Sequence, residues 1–225
     1  MTAIWNILLE YHEMLLYGLV VTIYLALVSM FLALFVGLVA ALGAISPHAI
    51  IRLPSVFYVE FCRNTPILVQ LVWVHYAWPE MFGIKFTAMT SSLVALTLQT
   101  SGYLAEQYRS GIQNVGSGQV EAAKSLGMTD SRLMRRIVLP QALMQSVPGL
   151  LNQFVTCFKS TSIVSVIAVP DLMYQAGLLV SATFLTMPIY TMIAMIYFAV
   201  VFGVSRGVNL LARKLPTAGY YGRSV

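Results

Sequence analysis

Charge is what this chain has least of. Aspartate, glutamate, lysine and arginine make up 9% of its 225 residues, against about 25% in soluble domains. With 59% hydrophobic residues and a mean hydropathy of +0.81, it cannot clothe a water-facing surface, and the class left is an integral membrane protein. Cysteine is nearly absent. Cys62 and Cys157 sit in apolar surroundings, form no Cys-x-x-Cys pair and read as small buried hydrophobes. His12, His48 and His75 are scattered without ligand spacing, which argues against a metal site. No internal repeat is visible. The net charge of +5 comes with no basic and aromatic strip on a soluble face, so no nucleic acid is expected as a partner.

What the chain has is long apolar runs. A helix needs about 20 residues to cross roughly 30 Å of hydrocarbon. Runs of that kind cover residues 14–45, 53–78 (interrupted by Glu60 and Arg63), 88–107, 141–168 (interrupted by Lys159) and 187–210. The stretch around Gly177 to Ser181 reads as a loop or short outer helix. The first run is not read as a cleaved signal peptide: only Glu10 and Glu13 precede it as charges, and it is longer than a signal's apolar core. The fold expected is therefore all-α, one membrane domain over residues 1–225 with five transmembrane helices.

The basic residues orient those helices. With the N-terminus outside and the C-terminus cytoplasmic, the inner side holds Arg52, Arg109, Lys124, Arg132, Arg135, Arg136, Arg206, Arg213, Lys214 and Arg223, which is ten of the thirteen. Lys85 alone falls outside, and Arg63 and Lys159 sit in or at the edge of runs. Cytoplasmic excess of Lys and Arg is the usual rule. A six-helix count, broken at Lys159, puts the basic C-terminus outside and places Asp171 within a span, so five is preferred.

The longest inner polar interval contains GQVEAAKSLG, Gly118 to Gly127. It differs from a phosphate-binding loop where difference is least tolerable. Ala123 replaces the glycine before the lysine, Glu121 repels phosphate, and no buried strand precedes it. A helical reading fits better over the loop 116–138. Ser117 or Gly118 caps a helix with Glu121 in its first turn, and Gly127 takes the left-handed position that ends it. Thr129 caps a second helix over about Asp130 to Leu139, with Arg132, Arg135 and Arg136 on one face and Leu133, Met134, Ile137 and Val138 on the other. From residues alone, two uses stay open: a helix pair held to anionic lipid, or a docking knob for a soluble partner.

The continuation GQVEAAKSLGMTDSRLMRRIVLPQAL resembles the EAA loop of ATP-binding-cassette importer permeases. Glu121, Ala122, Ala123 and Gly127 match the coupling positions, and Leu139, Pro140 and Gln141 match the family's L-P-Q. FCRNTPILVQ is similar to F-R-G-T-P-L-L-V-Q of the polar amino-acid branch, with Asn64 in place of a glycine. GYLAEQYRSGI resembles A-Y-x-A-E-x-x-R-G-G-I, departing at Gly102 and Ser110. VPGLLNQFVTCFKSTS resembles P-x-x-x-N…K-D-T-S, with Ser160 in place of an aspartate. The blocks fall in the expected order between about residues 61 and 169. The resemblance implies a non-catalytic permease subunit for polar amino acids or similar solutes in a bacterial inner membrane. It further implies two ATPase subunits, which bind ATP and Mg so that this chain carries no cofactor. A second permease, identical or homologous, and an extracytoplasmic solute-binding protein complete the set. It assigns ATPase coupling to Gly118, Glu121, Ala122, Ala123 and Gly127.

Charges at membrane depth mark the candidate path. A central charge costs about 2.5–3.5 kcal/mol on insertion scales, so it needs a partner or a task. Lys159 lies eleven residues after Pro148, about 16 Å of helix. Ser160, Thr161 and Ser162 after it are weak helix formers. A break there would aim a half-helix N-terminus at a substrate carboxylate, with Lys159, Thr161 and Ser162 along the path. Arg63 and Glu60 are spaced to pair near the inner interface, with a gate or substrate contact as the second reading. Glu106 and Arg109 repeat that spacing. Two rival functions remain: an ion-gradient-driven secondary transporter, which requires acids deep in the spans, and a non-transporting assembly or sensor subunit.

Overall fold

A computed structural model describes residues 9–214; Arg223, counted above among the inner cations, lies outside the described residues. Helix dominates, with no strand among the described residues. In chain order the elements are α1 (His12–Ala44), α2 (Ala49–Asn64), α3 (Ile67–Val72), α4 (Trp78–Phe82), α5 (Ala88–Gln113), α6 (Ser117–Ser125), α7 (Asp130–Leu133), α8 (Leu139–Ser160), α9 (Leu172–Thr183) and α10 (Thr186–Lys214). A π turn, Trp73–Ala77, joins α3 to α4, another, Met134–Val138, joins α7 to α8, and a 3₁₀ segment, Thr161–Ile167, follows α8.

Among the described residues three stretches are long and apolar enough to cross a membrane: His12–Ala44, Asp130–Ile167 and Thr186–Val208. The two other expected runs depart from that simple form for local reasons. The run 53–78 is not one helix, because α2 stops at Asn64 and Pro66 takes the N-cap of α3 with ψ 137°. A proline pushes the residue before it out of helical backbone, and Thr65 is that residue. Helix α5 has 26 residues but is polar; its Ser91, Ser92 and Ser101 are fully buried, so protein rather than lipid surrounds that face.

Both π turns have a common cause. Trp78 N–H bonds back to Trp73 O, and Leu139 N–H to Met134 O, five residues each. Pro79 and Pro140 come next in the chain. A proline has no N–H to give and its ring crowds the carbonyl four residues back, so the preceding turn widens to accommodate it.

The packing divides into two units. Among the described residues the first combines 9–32 with Thr65–Gln99 and Phe154–Arg206; the second combines Ala33–Asn64, Thr100–Gln153 and 207–214. In the first, Leu15, Leu172, Ala176, Leu179, Ile189 and Met192 form one core cluster, and Leu25, Leu71, Leu96, Val164 and Ile167 belong to another. In the second, Val115, Ala123, Leu133, Val138 and Ala142 pack together beneath α6. The Ser146 hydroxyl there donates to Ala142 O at 2.8 Å and lies 3.1 Å from Gln107 O, closing a polar group that hydrocarbon would leave unpaired.

Candidate functional site

The elbow belongs to the second unit. Gly116, not Ser117 or Gly118, occupies the cap of α6, with ψ 129° and no side-chain hydrogen bond; the helix simply starts one residue earlier than expected. At its far end Gly127 N–H bonds to Lys124 O at 2.9 Å and Met128 N–H to Ala123 O at 3.2 Å. That is a Schellman stop, and it requires the left-handed φ of +74° that Gly127 adopts. Glu121, Ala122 and Lys124 are exposed, and Leu126 is 83% exposed at the tip. Ala123 is different: at 3% exposure it faces the core cluster, so it seats the helix rather than presenting a surface. Gln141 Nε2 donates to Gln119 Oε1 at 2.6 Å, tying α6 to α8. The Lys124–Asp130 pair at 3.4 Å is exposed on both sides, and such pairs contribute little.

The second short helix is not separate. Thr129 takes the N-cap with ψ 150° but makes no side-chain bond. The chain then runs from Asp130 through the π turn and α8 to Ile167 as one 38-residue helical stretch. Arg132, Arg135 and Arg136 are exposed on it, with Leu133 and Val138 buried on the other side. Pro140 widens the turn instead of ending the helix.

The first unit holds the cavity that Lys159 enters. Its volume is about 890 Å³, and Lys159, Ser162, Tyr190, Tyr197, Phe198 and Phe202 are among its lining residues. No new helix starts at Ser160–Ser162 to aim its N-terminus into it, contrary to the expectation, since the chain passes there from α8 directly into the 3₁₀ segment. Helix α8 tightens instead of breaking. Thr161, Ser162 and Ser165 hydroxyls donate to the carbonyls of Phe158, Lys159 and Ser162, each three residues back. That spacing suits 3₁₀ geometry, and Ala168 ends the segment with φ +59°. Thr161 is fully buried and is not among the lining residues, while Lys159 and Ser162 are. Tyr190 and Tyr197 were not found from sequence; seven residues apart, they share one face of α10, which is the signal that would have identified them.

Arg63 and Glu60 belong to the second unit, around another pocket of about 240 Å³ that Glu60, Glu106 and Arg109 line. The two pairs expected from spacing form one network. Glu106 accepts from Arg109 Nε at 3.1 Å and also from Arg109 Nη2. Arg63 Nη1 lies 3.5 Å from Glu106 and 3.9 Å from Glu60. Asn64 Nδ2, at the position where the resemblance has glycine, donates to Glu60 Oε2 at 2.7 Å. The Arg63 guanidinium also lies 5.9 Å from the Tyr103 ring centroid. Two acids and two cations thus neutralise one another across α2 and α5.

Asp171, in the first unit, caps α9 by accepting Tyr174 N–H at 2.9 Å and is fully buried. Burial pushes its carboxyl up to about 6, against the opposing pull of Tyr174 and Met173 N–H and the Tyr197 hydroxyl. A carboxyl raised in the folded state adds stability that is complete below its ordinary value and is lost as pH rises through the raised one. Wild-type protein in detergent is therefore expected to melt several degrees higher at pH 5 than at pH 7.5. Asp171→Asn keeps an acceptor for Tyr174 N–H and carries no charge, so it should flatten that dependence and melt at or above wild type at pH 7.5. Scanning fluorimetry of both across this range is the check; parallel curves would refute it.

Comparisons with known proteins bear on the family and the fold. Residues 33–216 match the family model described as binding-protein-dependent transport system inner membrane component. The chain is 36% identical over 210 residues to the probable glutamine ABC transporter permease protein GlnM of Bacillus subtilis, covering 93% of this chain and 97% of that one. It is 36% identical to the probable amino-acid ABC transporter permease protein YckA of the same organism, covering 88% and 87%. A chain of a crystal structure of an amino acid ABC transporter with histidines superposes with TM-score 0.87 at 37% identity, covering 92% of this chain and 97% of that chain. A chain of the inward-facing MetNI methionine ABC transporter, at 18% identity and TM-score 0.77, covers 92% and 98% and shares the fold.

Proposed function

The chain belongs to the family of binding-protein-dependent transport system inner membrane components, and from that premise we propose that it is the permease subunit of an ATP-binding-cassette importer for amino acids. The observation that carries this reading is the family match over residues 33–216, which encloses an exposed elbow at Glu121, Ala122 and Leu126. Relatives whose names specify glutamine or amino acids support the solute class.

In this reading five spans cross the membrane: α1, the interrupted α2–α4, α5, the stretch through α8, and α10. The N-terminus lies outside and the C-terminus in the cytoplasm. Two ATPase subunits hold ATP and Mg; this chain hydrolyses nothing. Each elbow seats on one ATPase, and closure of the ATPase pair draws the elbows together and biases the spans between two accessibilities. Glu121, Ala122 and Leu126 make that contact, and Ala123, Gln119 and Gly127 hold the elbow rigid. Gly118, where an added Cβ meets nothing within 4 Å, lies on its open side. A second permease completes the membrane part, and an extracytoplasmic binding protein delivers solute. Lys159 and Ser162 receive the carboxylate, with Tyr190 and Tyr197 beside them. Thr161 acts only by fixing the 3₁₀ turn. Arg132, Arg135 and Arg136 meet anionic lipid. Arg63 and Glu60 serve the ion-pair network.

An ion-driven secondary transporter would need a free acid at depth. Glu60 and Glu106 are engaged by arginines and Asp171 is spent on the cap of α9, so the family match rather than a lack of acids weighs against that rival. Proteoliposomes holding this chain with its ATPase and binding protein are expected to accumulate an amino acid only with ATP, and to do so in the presence of ionophores. Uptake that proceeds without the ATPase and collapses with the ion gradient would overturn the proposal.

A further inference from the structure

We infer that the solute admitted to the Lys159 cavity is an amino acid whose side chain carries no charge. The inference rests on the reading that Lys159 holds the substrate carboxylate, and it goes further by naming which amino acids fit.

The argument is a charge balance. Lys159 is the one charged side chain lining the cavity, among the described residues. Its ammonium has no ion-pair partner there, since the described salt bridges join only Arg63, Arg109 and Lys124 to acids. One fixed cation satisfies one carboxylate. The substrate's own ammonium then needs acceptors rather than an anion. Ser162 spends its proton on Lys159 O, which leaves its oxygen lone pairs able to accept, and Tyr190 beside it offers another hydroxyl.

Past those groups most of the wall is carbon, with Val155, Ile193, Phe198, Val201 and Phe202 on it, and Tyr197 and Ser205 add only neutral hydroxyls. A basic substrate side chain would bring a second cation beside Lys159 with no acid in the lining to meet it; Asp171, behind Tyr197, is fully buried and committed to the α9 cap. At about 6 Å from Lys159 and an effective dielectric of about 20, the repulsion amounts to roughly 100-fold in affinity. An acidic side chain fares little better. Lys159 is already engaged by the α-carboxylate, so a second carboxylate would lie desolvated on carbon without a cation. At about 890 Å³ the space does not select by size. Selection is by charge, and a neutral side chain meets a surface that suits it.

The test uses the detergent-solubilised permease–ATPase complex without binding protein, so that the delivery protein's own selectivity does not enter. Radiolabelled glutamine, leucine, phenylalanine, arginine and glutamate are titrated in equilibrium binding. The three neutral amino acids are expected to bind within about 10-fold of one another, with arginine and glutamate roughly 100-fold weaker. Lys159→Met should weaken neutral binding at least about 10-fold and Lys159→Arg should largely keep it, because a carboxylate partner is retained. Ser205→Asp replaces a small polar lining residue with an anion and should raise arginine binding selectively. If Lys159→Met leaves every isotherm unchanged, the placement of the carboxylate is wrong and this inference goes with it. If Lys159→Met abolishes binding while wild type takes arginine or glutamate as tightly as leucine, the placement stands and the charge rule alone is overturned. Failure of wild type to bind any amino acid at millimolar concentration overturns both. The wild-type panel decides the charge rule even where a variant does not fold.

Discussion

Leu126→Asp is expected to leave the permease folded and to abolish ATP-driven uptake. The side chain is 83% exposed and follows the last turn of α6, immediately before Gly127 reverses the chain. A large apolar side chain held out on a rigid elbow is suited to a pocket on a partner. Buried interface anchors lose about 2–4 kcal/mol on truncation, which is roughly 30- to 1,000-fold in affinity, and a buried carboxylate would add to that. Nothing in the chain's own core depends on Leu126, so its elution profile and melting temperature should match wild type. Ala123→Leu is the contrast. That position is 3% exposed and packed against Val115, Leu133, Val138 and Ala142, so overpacking should cost about 1–3 kcal/mol of stability and reduce yield. Size-exclusion profiles, co-purification with the ATPase and proteoliposome uptake separate the two. Stoichiometric co-purification and normal uptake by Leu126→Asp would remove Leu126 from the interface.

What the sequence made visible were the features that depend on local order. Long apolar runs announced α1 and α10, since apolar length is itself the signal. Gly127 could be placed because a helix end followed by glycine has few other geometries. The break at Thr65–Pro66 was equally local and was passed over, because the apolar run continued on both sides and hydropathy outweighed the proline. The π turns before Pro79 and Pro140 belong to the same kind of miss: the runs read as ending at 78 and starting at 141, whereas each proline only widens the turn before it. Ser160–Ser162 misled in the opposite direction. Weak helix formers suggest a break, but the Thr161, Ser162 and Ser165 hydroxyls each bond three residues back and hold the chain in a tighter helix. The rest was not local. Glu106 reaches Arg63 across 43 positions of sequence; the spacing of Tyr190 and Tyr197 marks one face of α10, but that this face lines the same cavity as Lys159 is set by packing. Periodicity identifies a helix and its faces; it does not say which neighbour a face will meet.

Gly18→Val is expected to prevent the first unit from assembling. An added Cβ at Gly18 would stand 2.8 Å from Gln175 Cγ, 2.9 Å from Leu172 Cα and 3.0 Å from Asp171 O. Two of those atoms are backbone, so no rotamer change relieves the clash, and Gln175→Ala should not rescue it. The same junction carries Thr22, whose hydroxyl donates to Gly18 O at 2.9 Å and accepts Leu172 N–H at 3.2 Å. Forcing α1 and α9 apart would break that bond, disturb the Asp171 cap and open the cluster of Leu15, Leu172, Ala176 and Met192. Several losses of about 1–3 kcal/mol each then fall together on a protein of ordinary marginal stability. Gly18→Ala should be intermediate, with a lowered melting temperature. Gly149 shows why the kind of neighbour decides: the three atoms nearest its added Cβ all belong to the Gln107 side chain, which can swing aside, so Gly149→Ala should fold. Gly203 meets nothing within 4 Å, and Gly203→Ala within α10 should stabilise by about 0.5–1 kcal/mol. Expression with fluorescence-detected size exclusion ranks the set. Monodisperse Gly18→Val with a wild-type melting temperature would mean that α1 and α9 do not approach at backbone contact.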